Sequence, residues 1–158
     1  MTWARRGLIA LLFLTLTACQ TTAHRFSRTQ QAALQANGFT ETADGWELSM
    51  ADRLLFDTDS ATPKPEVVGT LGRVATSLLR VGIDRARVEG HTDSTGSAEH
   101  NMALSVNRAN AVATVLIASG FTPTALTVQG WGETHPVGDN DTEDGRALNR
   151  RVVIIVTP

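Results

Sequence analysis

The chain has 158 residues, a formal net charge of −2 and 42% hydrophobic side chains, proportions that suit one compact domain with tails. Lysine and arginine total 14 against 16 acids, with no basic run, which excludes an electrostatic nucleic-acid binder. A single cysteine, Cys19, excludes a disulfide within the chain.

Residues 1–18 read as a secretory signal rather than as part of the fold. Arg5 and Arg6 form a positive start, and Leu8 to Thr17 form an apolar run of ten residues. That is short of the roughly 20 needed to span a bilayer. The run leads into Leu16-Thr17-Ala18-Cys19, which resembles the bacterial lipobox and implies that Cys19 is lipid-modified and becomes the new N-terminus. Cleavage there removes two arginines and no acid, leaving 12 bases against 16 acids and a net charge of −4. Several acyl chains would hold the protein on a membrane, where one gives only marginal binding. Gln20, where an aspartate would suggest retention at the inner membrane, points to the periplasmic face of the outer membrane.

Residues 19–45 read as a lipidated tether and a short helix. Ser27 with Gln30 makes a capping box, and Asn37-Gly38 makes a helix stop. So short a helix is marginal alone and must dock on something. Leu34, Phe39 and Trp46 are then three large apolar groups at the edge of the main domain. They either pack back onto it or form a partner-binding surface.

Residues 46–158 carry an α/β pattern, in the order β-α-β-α-β-β. A strand runs from Trp46 through Leu48 and Met50 to Phe56. A helix follows, with Thr62 as cap, Pro63 and Pro65 in its first turn, and Val67, Leu71, Val74, Leu78 and Leu79 as its core face. Ala86 to Thr92 is a second strand, Ala98 to Ser119 a second helix, and Ala125 to Trp131 a third strand. Arg151 to Val156, continuous and β-branched, reads as a strand buried on both faces. The expected fold is an α+β sandwich, with two main helices packed on a mixed four-stranded sheet.

The second helix poses a question of charge. At 100° per residue Leu104, Ala111, Val112, Val115 and Leu116 share one face, and Asn101 and Arg108 fall within it. A charge there needs a partner or a ligand. Asp93, in the loop before the helix, could supply an ion pair, and loops at strand carboxyl ends are also where ligands bind.

Asn101 to Leu116 fits N-x-x-L-S-x-x-R-A-x-x-V-x-x-x-L and resembles the OmpA-like C-terminal domain, a peptidoglycan-binding family. "LLFDTDSA", "VEGHTDSTG" and "GRALNRRVVI" match that family in the same order, over about residues 46–156. The resemblance implies a site for the diaminopimelate of the peptidoglycan stem peptide, whose side-chain end carries an ammonium and a carboxylate. By motif position Asp93 would take the ammonium, and Arg108 the carboxylate with its guanidinium fork. Backbone N–H groups of Phe56 and Asp57 would assist, Leu104 would line the wall, Thr95 and Gly96 would shape the loop, and Asn101 would fix it. Asp93 and Arg108 could pair with each other while the site is empty.

Other signals are weaker. His91-x-Asp93, with His100 and His135 elsewhere, lacks the helical spacing of a metal pair, so His91 is expected to pack beside the loop and no metal is expected. Asp139 to Gly145 departs from a calcium loop, with glycine seventh and Arg150 twelfth. It reads as a solvated acidic loop facing Arg150 and Arg151, which with Asn149 would brace it or the sheet edge, ligand contact being the lesser alternative. No nucleophile, base or cofactor motif can be assembled, so a binder is expected and an envelope hydrolase is remote. Two binding roles remain. One is a tether of outer membrane to wall, like the peptidoglycan-associated lipoproteins. The other is implied by a second resemblance, of residues 31–50, 82–93 and 149–156 to signalling lipoproteins of this family: sequestering a periplasmic repressor, which frees a diguanylate cyclase and raises cyclic-di-GMP, with Leu34, Phe39 and Trp46 facing the repressor. A homodimer stays open.

Overall fold

The computed structural model describes residues 25–57 and 60–158. The signal-peptide and Cys19 lipidation readings lie outside the described residues.

Helix α1 (Arg28–Ala36) forms as its punctuation predicts. The Ser27 hydroxyl accepts from Gln30 N, and Ser27 N donates to Gln30 Oε1. Gly38, at φ +83°, ends the helix. Next come strands β1 (Thr40–Thr42) and β2 (Gly45–Ala51), a single turn α2 (Asp52–Leu55), and helix α3 (Pro65–Arg80). Strand β3 (Ala86–His91), helix α4 (Ala98–Ala118) and strand β4 (Leu126–Gly130) follow, then helix α5 (Glu143–Asn149) and strand β5 (Arg151–Val156). The sheet has five strands, in the order β1-β2-β5-β3-β4, with β3 and β4 parallel and the other pairs antiparallel.

The elements differ from the sequence reading at four places, each for a local reason. The fifth strand, β1, has all three residues exposed, so it carries no apolar alternation to read. Strand β2 stops at Ala51 because the next residues coil into a single turn, with Phe56 N closing on Asp52 O at 2.8 Å. Helix α3 starts at Pro65 with Lys64 at its cap, and Pro63 instead bridges to Phe56. The acidic stretch 139–145 is half helix. Thr142 Oγ1 accepts from Gly145 N, and Glu143 and Asp144 occupy the first turn of α5.

One face of the sheet carries the core. The row Leu48, Ile154, Val88 and Val128 crosses β2, β5, β3 and β4, and Leu71, Val74 and Leu78 of α3 join the same cluster with Val112 and Leu116 of α4. β5 is buried on both faces, as its sequence predicts. Leu34, Phe39 and Trp46 belong to this core at 0%, 3% and 6% exposure. Their reading as a repressor-facing surface is therefore corrected: α1 docks on α3, with Asn37 Nδ2 on Ser77 Oγ at 2.8 Å. Burying each of these side chains stabilises the domain by about 2 kcal/mol, and a partner would have to displace them.

Helix α4 lies unusually close to the sheet. Gly90 of β3 and Gly130 of β4 are paired neighbours beneath it. A Cβ on Gly90 would sit 2.0 Å from Ser105 O, and one on Gly130 2.6 Å from Val106 N. This pair of glycines sets the depth of the helix, and with it the position of Arg108.

Candidate functional site

A concave site of about 650 Å³ opens where the carboxyl end of β3 meets the start of α4. Seven of the residues expected to meet a ligand line it: Phe56, Asp57, Asp93, Thr95, Asn101, Leu104 and Arg108. Gly96 does not. At φ +97° it turns the loop into α4, whose cap is Ser97 Oγ accepting from His100 N.

The loop is held from several sides. Thr95 N donates to Asp93 Oδ1 at 2.8 Å, and Thr92 N to Gly132 O at 2.9 Å. Asn101 Nδ2 donates to Asp93 O at 3.2 Å and to Glu133 Oε2 at 2.5 Å. Ser94 N donates to Asn140 Oδ1, and Asn149, fully buried, takes Val137 N and Gly138 N on its own Oδ1. Asn149 thus braces the 137–140 loop, as expected of it.

The charges pair differently from the expectation. Asp93 and Arg108 share the cavity but not a bond. Arg108 lies 3.0 Å from Asp52 Oδ1 through Nε, which also donates to Ser60 O at 3.1 Å, and its guanidinium carbon stands 5.4 Å from the Phe56 ring centre. The N–H points at the carbonyl, so the Asp52 contact is one of charge, and Asp52 Oδ1 accepts no hydrogen bond among the described residues. Asp93 Oδ2 instead takes Arg150 Nη1 at 2.6 Å, and Arg150 Nη2 reaches Glu143 Oε1 at 2.8 Å. Arg150 is therefore more than a brace, since it lines the site.

Burial pushes the Asp52 carboxyl above its usual range, with Arg108 only partly offsetting it. Burial also acts to raise Asp93, but the hydrogen bonds from Arg150 and Thr95 outweigh it and hold Asp93 below the ordinary carboxylate value. His91 lies among the residues of the other sheet face, near Trp131 and His135. Its burial, with Arg151 and His135 adding positive charge, lowers its pKa to about 3. It is neutral at pH 7, so its 3.6 Å approach to Glu89 is no ion pair.

Asp52 and Glu143 are the site residues that sequence reasoning missed, and Arg150, read mainly as a brace, joins them. The signal for Asp52 was the break in alternation at Leu54-Leu55-Phe56, and for Glu143 the cap at Thr142. Phe56 N is not offered to the site, because it closes α2 on Asp52 O. Among the described residues no three histidine, cysteine or acidic side chains gather as a metal set, and no helix is long and apolar enough to cross a membrane.

A model of the OmpA family matches residues 55–150, a span that holds Phe56, Asp93, Arg108 and Arg150 but not Asp52. The outer-membrane lipoprotein YfiB of Pseudomonas aeruginosa is 42% identical over 147 residues, covering 92% of this chain and 88% of that protein. The cell wall anchor of the T6SS from Pseudomonas aeruginosa matches with a TM-score of 0.68 at 30% identity, over 84% of this chain and 96% of that one. The peptidoglycan-associated lipoprotein from Burkholderia pseudomallei matches with a TM-score of 0.60 at 28% identity, over 69% and 89%.

Proposed function

The chain belongs to the OmpA family, and from that premise we propose that it is an outer-membrane lipoprotein that binds peptidoglycan through the diaminopimelate of the stem peptide. One observation carries this reading. An anion, Asp93, and a cation, Arg108, both less than a tenth exposed, line a single cavity. Buried opposite charges on one concave wall match a ligand that ends in an ammonium and a carboxylate, and a neutral pocket would leave both ends of that ligand desolvated without partners. The role is binding. Lipid on Cys19 would hold the domain at the periplasmic face of the outer membrane, in keeping with the outer-membrane lipoprotein that covers most of the chain.

Calorimetry with the tripeptide L-Ala-γ-D-Glu-diaminopimelate, and with its lysine counterpart, tests the reading. The lysine peptide keeps an ammonium and lacks the carboxylate. Binding of the first, at least about tenfold weaker binding of the second, and loss of both in Asp93→Ala are expected. Equal affinity for the two peptides would sink the assignment of Arg108.

A second role, sequestration of a YfiR-like periplasmic repressor that frees a diguanylate cyclase and raises cyclic-di-GMP, is supported by similarity to YfiB that extends along 92% of the chain rather than over the wall-binding domain alone. The repressor would meet the outer surface of α1 and the β1–β2 hairpin, since the apolar residues beneath are core. A stable complex of the two purified proteins on a sizing column is expected. If they elute separately at micromolar concentration, the tether role stands alone.

A further inference from the structure

Both oxygens of Asp93 are committed in the folded chain. Oδ1 takes Thr95 N at 2.8 Å and Oδ2 takes Arg150 Nη1 at 2.6 Å, and the side chain is 8% exposed. With so little of the side chain exposed, an incoming ammonium must compete with Arg150 for this carboxylate. Arg150 has somewhere to go, because its other nitrogen already lies 2.8 Å from Glu143 Oε1, and that carboxylate is 67% exposed. Glu143 is itself steadied by Arg146, whose Nη2 holds Oε2 at 2.8 Å.

We propose that Arg150 is the latch of the site: it occupies Asp93 in place of the ligand's ammonium, and it passes to Glu143 when that ammonium binds. This rests on the diaminopimelate reading above. Exchanging one cation for another keeps the buried carboxylate compensated throughout, and a buried charge without a partner is the costly state. Arg146 Nη1 also donates to Asn140 O at 2.8 Å, and Asn140 Oδ1 accepts from Ser94 N in the Asp93 loop. Movement of Arg150 therefore reaches α5 and the 139–142 turn through direct bonds. Arg150 is a specificity-determining residue on this account: a ligand lacking the ammonium gains nothing from displacing it.

The test uses the full chain in detergent, with two probes. One is the diaminopimelate tripeptide. The other is the same peptide carrying 2-aminopimelate, which keeps the carboxylate and lacks the ammonium. Arg150→Gln should bind the first about tenfold more tightly and the second no better, because the ion pair no longer competes. Glu143→Gln, which leaves Arg150 only Asp93, should weaken the first about threefold, and the double variant should match Arg150→Gln. Arg150→Gln weakening both peptides alike would overturn the latch and make Arg150 a ligand contact. An unchanged affinity in that variant would overturn it as well. If neither the native chain nor Arg150→Gln, both folded by circular dichroism, binds either peptide, the latch and the diaminopimelate reading fall together.

Discussion

Arg108→Ala is expected to weaken binding of the diaminopimelate tripeptide by at least about 100-fold, roughly 3 kcal/mol, because the ligand carboxylate then loses the buried guanidinium that would meet it. The same change costs stability. Asp52, 12% exposed at its side chain, loses the guanidinium 3.0 Å away, and breaking a buried pair from one side costs about 3–5 kcal/mol. Urea unfolding should show that loss, so binding must be read well below the variant's midpoint. Arg108→Lys separates the two effects. It keeps a charge for Asp52 but lacks the fork that bonds a carboxylate in two places, so an affinity about tenfold below native and a smaller loss of stability are expected. Full affinity in both variants would remove Arg108 from the site.

Gly90→Ala is expected to be among the most damaging single-methyl changes in the domain. The added Cβ would lie 2.0 Å from Ser105 O and 2.8 Å from Ser105 C, which are backbone atoms in the middle of α4. No rotamer relieves that contact, so the whole helix must lift from the sheet. We expect a loss of about 3 kcal/mol or more, read as a drop in the urea midpoint at unchanged slope. Gly82→Ala is the comparison. Nothing lies within 4 Å of its Cβ, but φ is +76°, so only backbone strain of about 1 kcal/mol is expected. Equal losses in the two variants would mean that α4 does not rest on Gly90. Wall binding should fail in Gly90→Ala as well, since α4 carries Asn101, Leu104 and Arg108.

Much of the molecule was legible because local rules govern it. Ser27 and Gln30 with Asn37-Gly38 set the bounds of α1, the apolar spacings of α3 and α4 marked their core faces, and Arg151 to Val156 announced a strand buried on both faces. The gathering of Asp93, Asn101, Leu104 and Arg108 followed from a loop and a helix that adjoin in the chain. The anomaly of a charge within an apolar stripe was visible before any fold was known.

Only the tertiary structure decided which charges meet. Asp93 and Arg108 are 15 positions apart and looked like partners, yet each faces an opposite charge from a distant element: Arg108 that of Asp52, and Asp93 that of Arg150. Strand pairing of β2 with β5 and of β5 with β3 delivers Asp52 and Arg150 to the same cavity, and no spacing along the chain encodes that register. Leu34, Phe39 and Trp46 followed the same logic. Their size fitted a core or an interface equally well, and the choice fell to whether α3 and the sheet had apolar surface left to cover. By itself, then, the sequence determined the main helices and strands and the residue types that a zwitterionic ligand requires. Long-range packing decided the ion pairs and which apolar groups lie inside, because both depend on what arrives from the far side of the sheet.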